Sequence, residues 1–277
     1  MRVIRCAPAS EGGAPADPPV VICVHGWGCS AYSYNHVLRA IADAGCDVYA
    51  PDVRGHGWSE KPLAPAAYAP DALGRWLVDL LDALALPRAV LVGHSMGGAV
   101  VLRAALHAPD RVAGLVLLAP VGFGSIPRTR LLRWFTPALL DPVLPYLAAR
   151  VIVGVGLRTG YGALGAPTAR DVDEYWAPTA DPDFARAARL IAHAFQWEAG
   201  DPGELARLRC PVHAILGARD NLVPGAHLRA QAGRIARLRV DEIADAGHVL
   251  AEEVPAVVVR AVVDDARAWW HPPSGRG

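Results

Sequence analysis

Ala89-Val90-Leu91-Val92 runs without interruption into Gly93-His94-Ser95-Met96-Gly97-Gly98. The first four residues are apolar and β-prone at consecutive positions, as in a strand covered on both faces. From Ser95 or Met96 to about His107 the pattern is helical. A strand passing straight into a helix needs a tight turn, and glycine at 93 and 97 removes Cβ atoms that would collide with neighbouring backbone. Ser95, between them, is expected in a strained conformation with its hydroxyl exposed above the sheet, the geometry of a nucleophile elbow. The same Gly-x-Ser-x-Gly turn can do no more than join a strand to a helix, so its chemical meaning depends on partners elsewhere in the chain.

Working outward, Val20–Val24, Asp47–Ala50, Leu115–Ala119, Val212–Leu216 and Leu238–Ile243 read as further strands separated by helical patterns. This alternation predicts an α/β fold with a mostly parallel, doubly wound sheet. Leu73, Leu77, Leu80, Leu81 and Leu84 mark an amphipathic helix with a possible N-cap at Asp71, closed by Leu86-Pro87. A last helix should follow Glu252, with Pro255 tolerated in its first turn. Before Val20 only Val3–Cys6 is strand-like, so seven or eight strands are expected.

The alternation fails between about Val121 and Leu208, where prolines and aromatic residues are frequent and helices look short. One of these is expected to be capped by Asp181-Pro182 and to run to Trp197. A strandless segment of this length between two core strands is too long for an ordinary loop. It predicts a helical lid (121–208) inserted into a core of residues 1–120 and 209–277. Some of Phe123, Trp134, Phe135, Tyr146, Trp176, Phe195 and Trp197 should line an apolar pocket, although most can simply pack the lid onto the core.

Composition narrows the classes of function. The 277 residues are 53% hydrophobic and 19% charged with a net charge of zero. That suits a large buried core and gives no general attraction to nucleic acid or anionic membrane. Arg133, Asp141, Arg150 and three prolines divide the apolar stretch 131–157, which argues against membrane insertion. Arginine is spread along the chain and Lys61 is the sole lysine. Five scattered cysteines form no CxxC pair, and the N-terminus lacks the apolar run of an export signal, so a cytoplasmic protein is expected.

A lone serine hydroxyl is a poor nucleophile at neutral pH and needs a base, usually a histidine oriented by a carboxylate. Leu216-Gly217-Ala218-Arg219-Asp220-Asn221-Leu222-Val223-Pro224 places Asp220 just beyond a strand's carboxyl end. Asp245-Ala246-Gly247-His248 places His248 beyond the next, at the same edge of the sheet. Asp220 could only cap the next helix, and a single histidine is more often structural than catalytic. The order Ser95, Asp220, His248, each after an expected strand, makes them the candidate catalytic triad. Asp245 is an alternative to Asp220. His25, His94, Asp52, Arg54 and His56 read as loop-holding residues.

This order resembles the α/β-hydrolase superfamily, in its serine-nucleophile, esterase- and lipase-like branch. So do His25-Gly26-Trp27-Gly28 after the first core strand and Asp52-Val53-Arg54-Gly55-His56-Gly57-Trp58-Ser59 after the next. The likeness spans nearly the whole chain. It implies that the backbone N–H groups of Trp27 and Met96 form an oxyanion hole, and that no metal or organic cofactor is required. Serine rather than aspartate at position 95 disfavours the epoxide hydrolase and haloalkane dehalogenase branches.

The expected reaction is cleavage of a carboxylic ester or related acyl bond of a small to medium apolar substrate through an acyl-enzyme. Lactonases, carbon–carbon bond hydrolases and haloperoxidase-like perhydrolases share the triad, and some relatives of this fold act as small-molecule receptors. Arg128, Arg130 and Arg133 could attract an acidic substrate or an acyl carrier, or form a solvated face. The sequence leaves the oligomeric state open.

Overall fold

Each run read as a strand forms one, and the central runs supply enough consecutive apolar residues to be covered on both faces of a sheet. The computed structural model describes residues 1–8, 17–124, 126, 133–134, 136–140, 149–197 and 202–270. Its strands are β1 (Val3–Cys6), β2 (Val20–Val24), β3 (Asp47–Pro51), β4 (Ala89–His94), β5 (Val112–Leu118), β6 (Val212–Gly217) and β7 (Leu238–Ile243). They form one seven-stranded sheet in the order β1-β3-β2-β4-β5-β6-β7. β1 pairs antiparallel with β3 at one edge, and all other pairings are parallel. Every residue of β2 through β6 is buried, whereas β7, at the other edge, is half-exposed.

The helices described are α1 (Asn35–Asp43), α2 (Pro70–Ala83), α3 (Met96–His107), α4 (Arg150–Arg158), α5 (Ala169–Trp176), α6 (Phe184–Ala194), α7 (Pro202–Leu205), α8 (Ala226–Gln231), α9 (Leu250–Glu253) and α10 (Pro255–Trp269). α2 and α3 pack together, with α3 lying on β2, β4 and β5. α1 and α10 pack together, with α10 on β4 and β5. Among the described residues, no strand interrupts the chain between β5 and β6, and α4, α5 and α6 lie there. No described helix is long and apolar enough to cross a membrane.

Helix ends depart from the sequence reading. Ala69 caps α2 and Pro70 takes its first position, so Asp71 lies inside the first turn, where a carboxylate favours the positive end of the helix dipole. α2 stops at Ala83, three residues before Leu86-Pro87. α6 begins at Phe184 and ends at Ala194 rather than Trp197. Asp181 still organises its start, since its Oδ1 accepts the Asp183 N–H at 2.9 Å. Pro255 opens α10 at a position that needs no N–H donor, as expected, after the separate turn of α9.

Candidate active site

The turn after β4 is closed by backbone. A Cβ on Gly97 would strike the Val24 carbonyl oxygen and lie 2.7 Å from that of His25, and one on Gly93 would lie 2.6 Å from the Gly97 oxygen. Ser95 adopts φ 52° and ψ −119°, a left-handed conformation that costs a non-glycine residue about 1–3 kcal/mol. Its own backbone holds it there. The Ser95 N–H donates to Leu118 at 2.9 Å, and its carbonyl accepts from Gly98 at 2.9 Å and Val121 at 3.0 Å. Ser95 thus sits at the carboxyl end of β4, immediately before the first turn of α3, and is 8% exposed.

β6 and β7 deliver the acid and the histidine to the same edge. His248 Nδ1 donates to Asp220 Oδ2 at 2.7 Å, and both side chains are nearly inaccessible. Asp220 Oδ1 accepts the N–H groups of Leu222 at 2.8 Å and Val223 at 2.9 Å. Burial alone would raise the Asp220 carboxyl, but the His248 hydrogen bond and charge and these backbone donors outweigh it, leaving the group below its ordinary value. The alternative acid turns away: Asp245 Oδ1 meets the Arg219 guanidinium at 2.7 Å on the exposed side.

His94 links the elbow to the histidine loop. Its Nε2 donates to the His248 carbonyl at 2.9 Å, and the two rings lie 4.8 Å apart between centroids. Burial, reinforced by the neighbouring His248, lowers His94 to about 3, so it stays neutral at physiological pH. The His248 N–H donates to the Gly160 carbonyl at 2.6 Å. The structure therefore joins Asp220 to His248 directly and ties the His248 carbonyl to His94, the residue before Ser95. Among the described residues, Ser95 Oγ makes no hydrogen bond to His248; such bonds are often long before substrate is bound.

The segment after β2 lies against the serine, because the Cβ position of Gly26 is 3.1 Å from Ser95 Cβ. Trp27 follows it and Met96 opens α3. Among the described residues, neither backbone N–H has an acceptor. The positive end of α3 coincides with Met96. The Trp27 indole donates to the Ala188 carbonyl of α6 at 3.1 Å and meets Trp197 edge-on at 5.9 Å.

Loop-holding roles are visible for the other polar residues. His25 Nδ1 donates to Gly26 at 2.8 Å while its Nε2 accepts the Val53 N–H at 2.9 Å, which fixes a neutral tautomer. Buried Asp52 accepts the N–H groups of Ala31 at 2.7 Å and Trp58 at 2.8 Å. Arg133 donates to the carbonyls of Ala192 at 2.8 Å and Phe195 at 2.7 Å, closing the carboxyl end of α6. Arg128 and Arg130 lie outside the described residues. Phe123, Phe195 and Trp197 are buried, whereas Trp134 and Trp176 are exposed. Phe135 and Tyr146 lie outside the described residues.

Sequence reading missed Glu252 and Glu253. Glu252 accepts the hydroxyls of Tyr161, at 2.5 Å, and Tyr175, and burial holds its carboxyl above the ordinary range. Glu253, buried, accepts the N–H groups of Gly247 at 2.7 Å and Gly162 at 2.8 Å. The signal was two consecutive acids in the otherwise apolar run Val249-Leu250-Ala251-Glu252-Glu253-Val254-Pro255, directly after Gly247-His248.

Comparison with known proteins identifies the fold. A family model described as the alpha/beta hydrolase fold matches residues 19–149. Epoxide hydrolase A of Mycobacterium tuberculosis is 47% identical over 116 residues, which span 42% of this chain and 35% of that relative. A haloalkane dehalogenase of Mycolicibacterium paratuberculosis is 30% identical over 236 residues, 80% of this chain and 74% of the relative. Among solved structures, an esterase from Exiguobacterium antarcticum superposes with a TM-score of 0.78 at 15% identity, covering 96% of this chain and 94% of that one.

Proposed function

Since the chain belongs to the α/β-hydrolase fold family, we propose that it is a serine hydrolase that cleaves a carboxylic ester or related acyl bond. The observation that carries this reading is the Asp220–His248 hydrogen bond of 2.7 Å, set beside a serine at φ 52°. In the proposed reaction, His248 Nε2 takes the Ser95 Oγ proton as the oxygen attacks the substrate carbonyl. The tetrahedral oxyanion lies between the N–H groups of Trp27 and Met96, each typically worth about 2.7–4 kcal/mol in the transition state. His248 returns the proton to the departing alcohol, then activates water to release the acyl group. Asp220 stays ionised and stabilises the imidazolium.

The activities named for the epoxide hydrolase and dehalogenase relatives do not transfer to position 95. A carboxylate attacking a saturated carbon forms an ester, which activated water can open at its carbonyl. A serine making the same attack would form an ether, with no carbonyl for the water to attack. Acyl substrates leave an ester on Ser95 and permit turnover. Carbon–carbon hydrolysis, lactone opening and perhydrolysis share this intermediate.

Residues 121–208 act in this reading as a lid. Its support is Trp27, tied to Ala188 and Trp197, and Gly160, tied to His248, which bring α4–α6 and their connections over the carboxyl ends of the strands. The buried indole of Trp197 and ring of Phe195 beside Trp27 favour an apolar substrate group. We place the protein in a reducing cytoplasm, in keeping with its five unpaired cysteines.

The test is a panel of p-nitrophenyl esters of increasing acyl length, with an aryl lactone, a chloroalkane and an aryl epoxide. A burst of p-nitrophenol followed by steady turnover is expected, with no halide or diol released. Halide or diol release without ester turnover would contradict the reading. Tight retention of an ester with a single slow turnover would replace the enzyme with a receptor.

A further inference from the structure

A histidine that must reach both Ser95 and Asp220 needs a fixed backbone as well as a fixed ring, and residues 245–248 are held on two sides, by the Gly217–Arg219 segment beyond β6, where the Arg219 N–H donates to the Ala246 carbonyl at 2.9 Å, and by residues 160–163. Residues 160–163 lie against this loop backbone to backbone. The His248 N–H donates to Gly160, the Ala163 N–H donates to the Asp245 carbonyl at 2.8 Å, and a Cβ on Gly162 would lie 2.5 Å from the Asp245 oxygen. Two backbone donors in this seam, Gly162 and Gly247, point at one carboxylate. Glu253 Oε2 accepts the first at 2.8 Å and Oε1 the second at 2.7 Å. Gly247 immediately precedes His248. Glu252 secures the same segment through the hydroxyl of Tyr161 and ties it to α5 through that of Tyr175.

We propose that Glu253 is a positioning residue for His248, its two carboxylate oxygens clamping the histidine loop to residues 160–163 so that the imidazole keeps its reach to Ser95. The proposal rests on the reading of Ser95 and His248 as nucleophile and base. Glutamine at 253 offers one acceptor oxygen and one NH2 group, so one buried backbone N–H loses its partner. Aspartate keeps the charge but is one methylene shorter and cannot span both donors.

The experiment compares wild type, Glu253→Gln, Glu253→Asp and the surface control Arg39→Ala, whose exposed guanidinium pairs with Asp43 within α1, with active sites counted by an organophosphonate so that misfolded molecules are excluded from kcat. In Glu253→Gln, kcat per titrated site is expected to fall about ten- to a hundredfold at nearly constant KM, as for a small displacement of a reacting group. Glu253→Asp should fall between Glu253→Gln and wild type, and Arg39→Ala should match wild type. The low-field proton resonance of His248 Nδ1–H is expected to broaden or move upfield in both Glu253 variants. Unchanged kcat per site and an unchanged resonance, with only the Tm lowered, would overturn the proposal. If Glu253→Gln does not fold, Glu253→Asp decides by the same two readouts. A wild-type enzyme that fails to label at Ser95 would sink the underlying function instead, so the two failures are distinct.

Discussion

Ser95 keeps its left-handed backbone because three hydrogen bonds over-determine it, and the neighbouring His94 carries that rigidity to the His248 carbonyl. His248 gets its orientation from Asp220, whose second oxygen is taken by two backbone donors. Asp220→Asn should therefore fold yet lose roughly 10³–10⁴-fold in kcat, measured by ester hydrolysis, because the amide no longer selects the productive tautomer. The stability effect has a definite sign. With a folded-state value below the unfolded one, Asp220 contributes stability present above about pH 4 and lost as pH falls through its folded-state value. Thermal melts should show the gap between wild type and Asp220→Asn shrinking from pH 6 toward pH 3. At this scale the placement of Ser95, Asp220 and His248 beyond strand ends was readable because each follows a strand in a fixed chain order. Glu253 was not readable, because one of its partners is a backbone N–H 91 positions away, which leaves no side-chain pattern in the sequence.

At the scale of elements, the elbow depends on how closely α3 approaches β2. Gly97→Ala drives a methyl group into the Val24 carbonyl and should cost about 2–4 kcal/mol, lowering the Tm by roughly 5–15 °C. Trp27→Phe removes the indole donor to Ala188 while sparing the backbone N–H. Its expected signature in ester kinetics is a KM raised more than kcat is lowered, since the change falls on the contact between the β2 loop and α6. Strand positions were legible because consecutive apolar residues admit few alternatives, although β5 begins at Val112, three residues before the run read from Leu115, since Gly114 interrupts its apolar pattern. Helix ends were less so. Asp71 and Pro70 are both good first-turn residues, and only the fold of the preceding turn, Pro65–Tyr68, decides which leads. The end of α6 is set by Arg133, some sixty residues earlier in the chain, which satisfies its last carbonyls.

Across the whole molecule, six strands pair in parallel, with the proposed triad beyond the carboxyl ends of three of them, and β1 closes one edge of the sheet. Arg5 ties β1 to β3 through two hydrogen bonds to buried Asp47, at 3.0 and 2.9 Å. Arg5→Ala should cost about 1–2 kcal/mol, because it leaves a buried carboxylate with fewer partners, without changing kcat per active site. The alternation of strands and helices made the sheet and its direction legible. The sheet's count of seven was settled only by the pairing of β1. The central claim is that Ser95 is an activated nucleophile. Intact and peptide mass spectrometry after treatment with a serine-reactive organophosphonate tests it most directly: stoichiometric adduct on Ser95, lost in Ser95→Ala, is predicted. A wild-type protein left unlabelled by probes of several sizes, or labelled equally in Ser95→Ala, would contradict it.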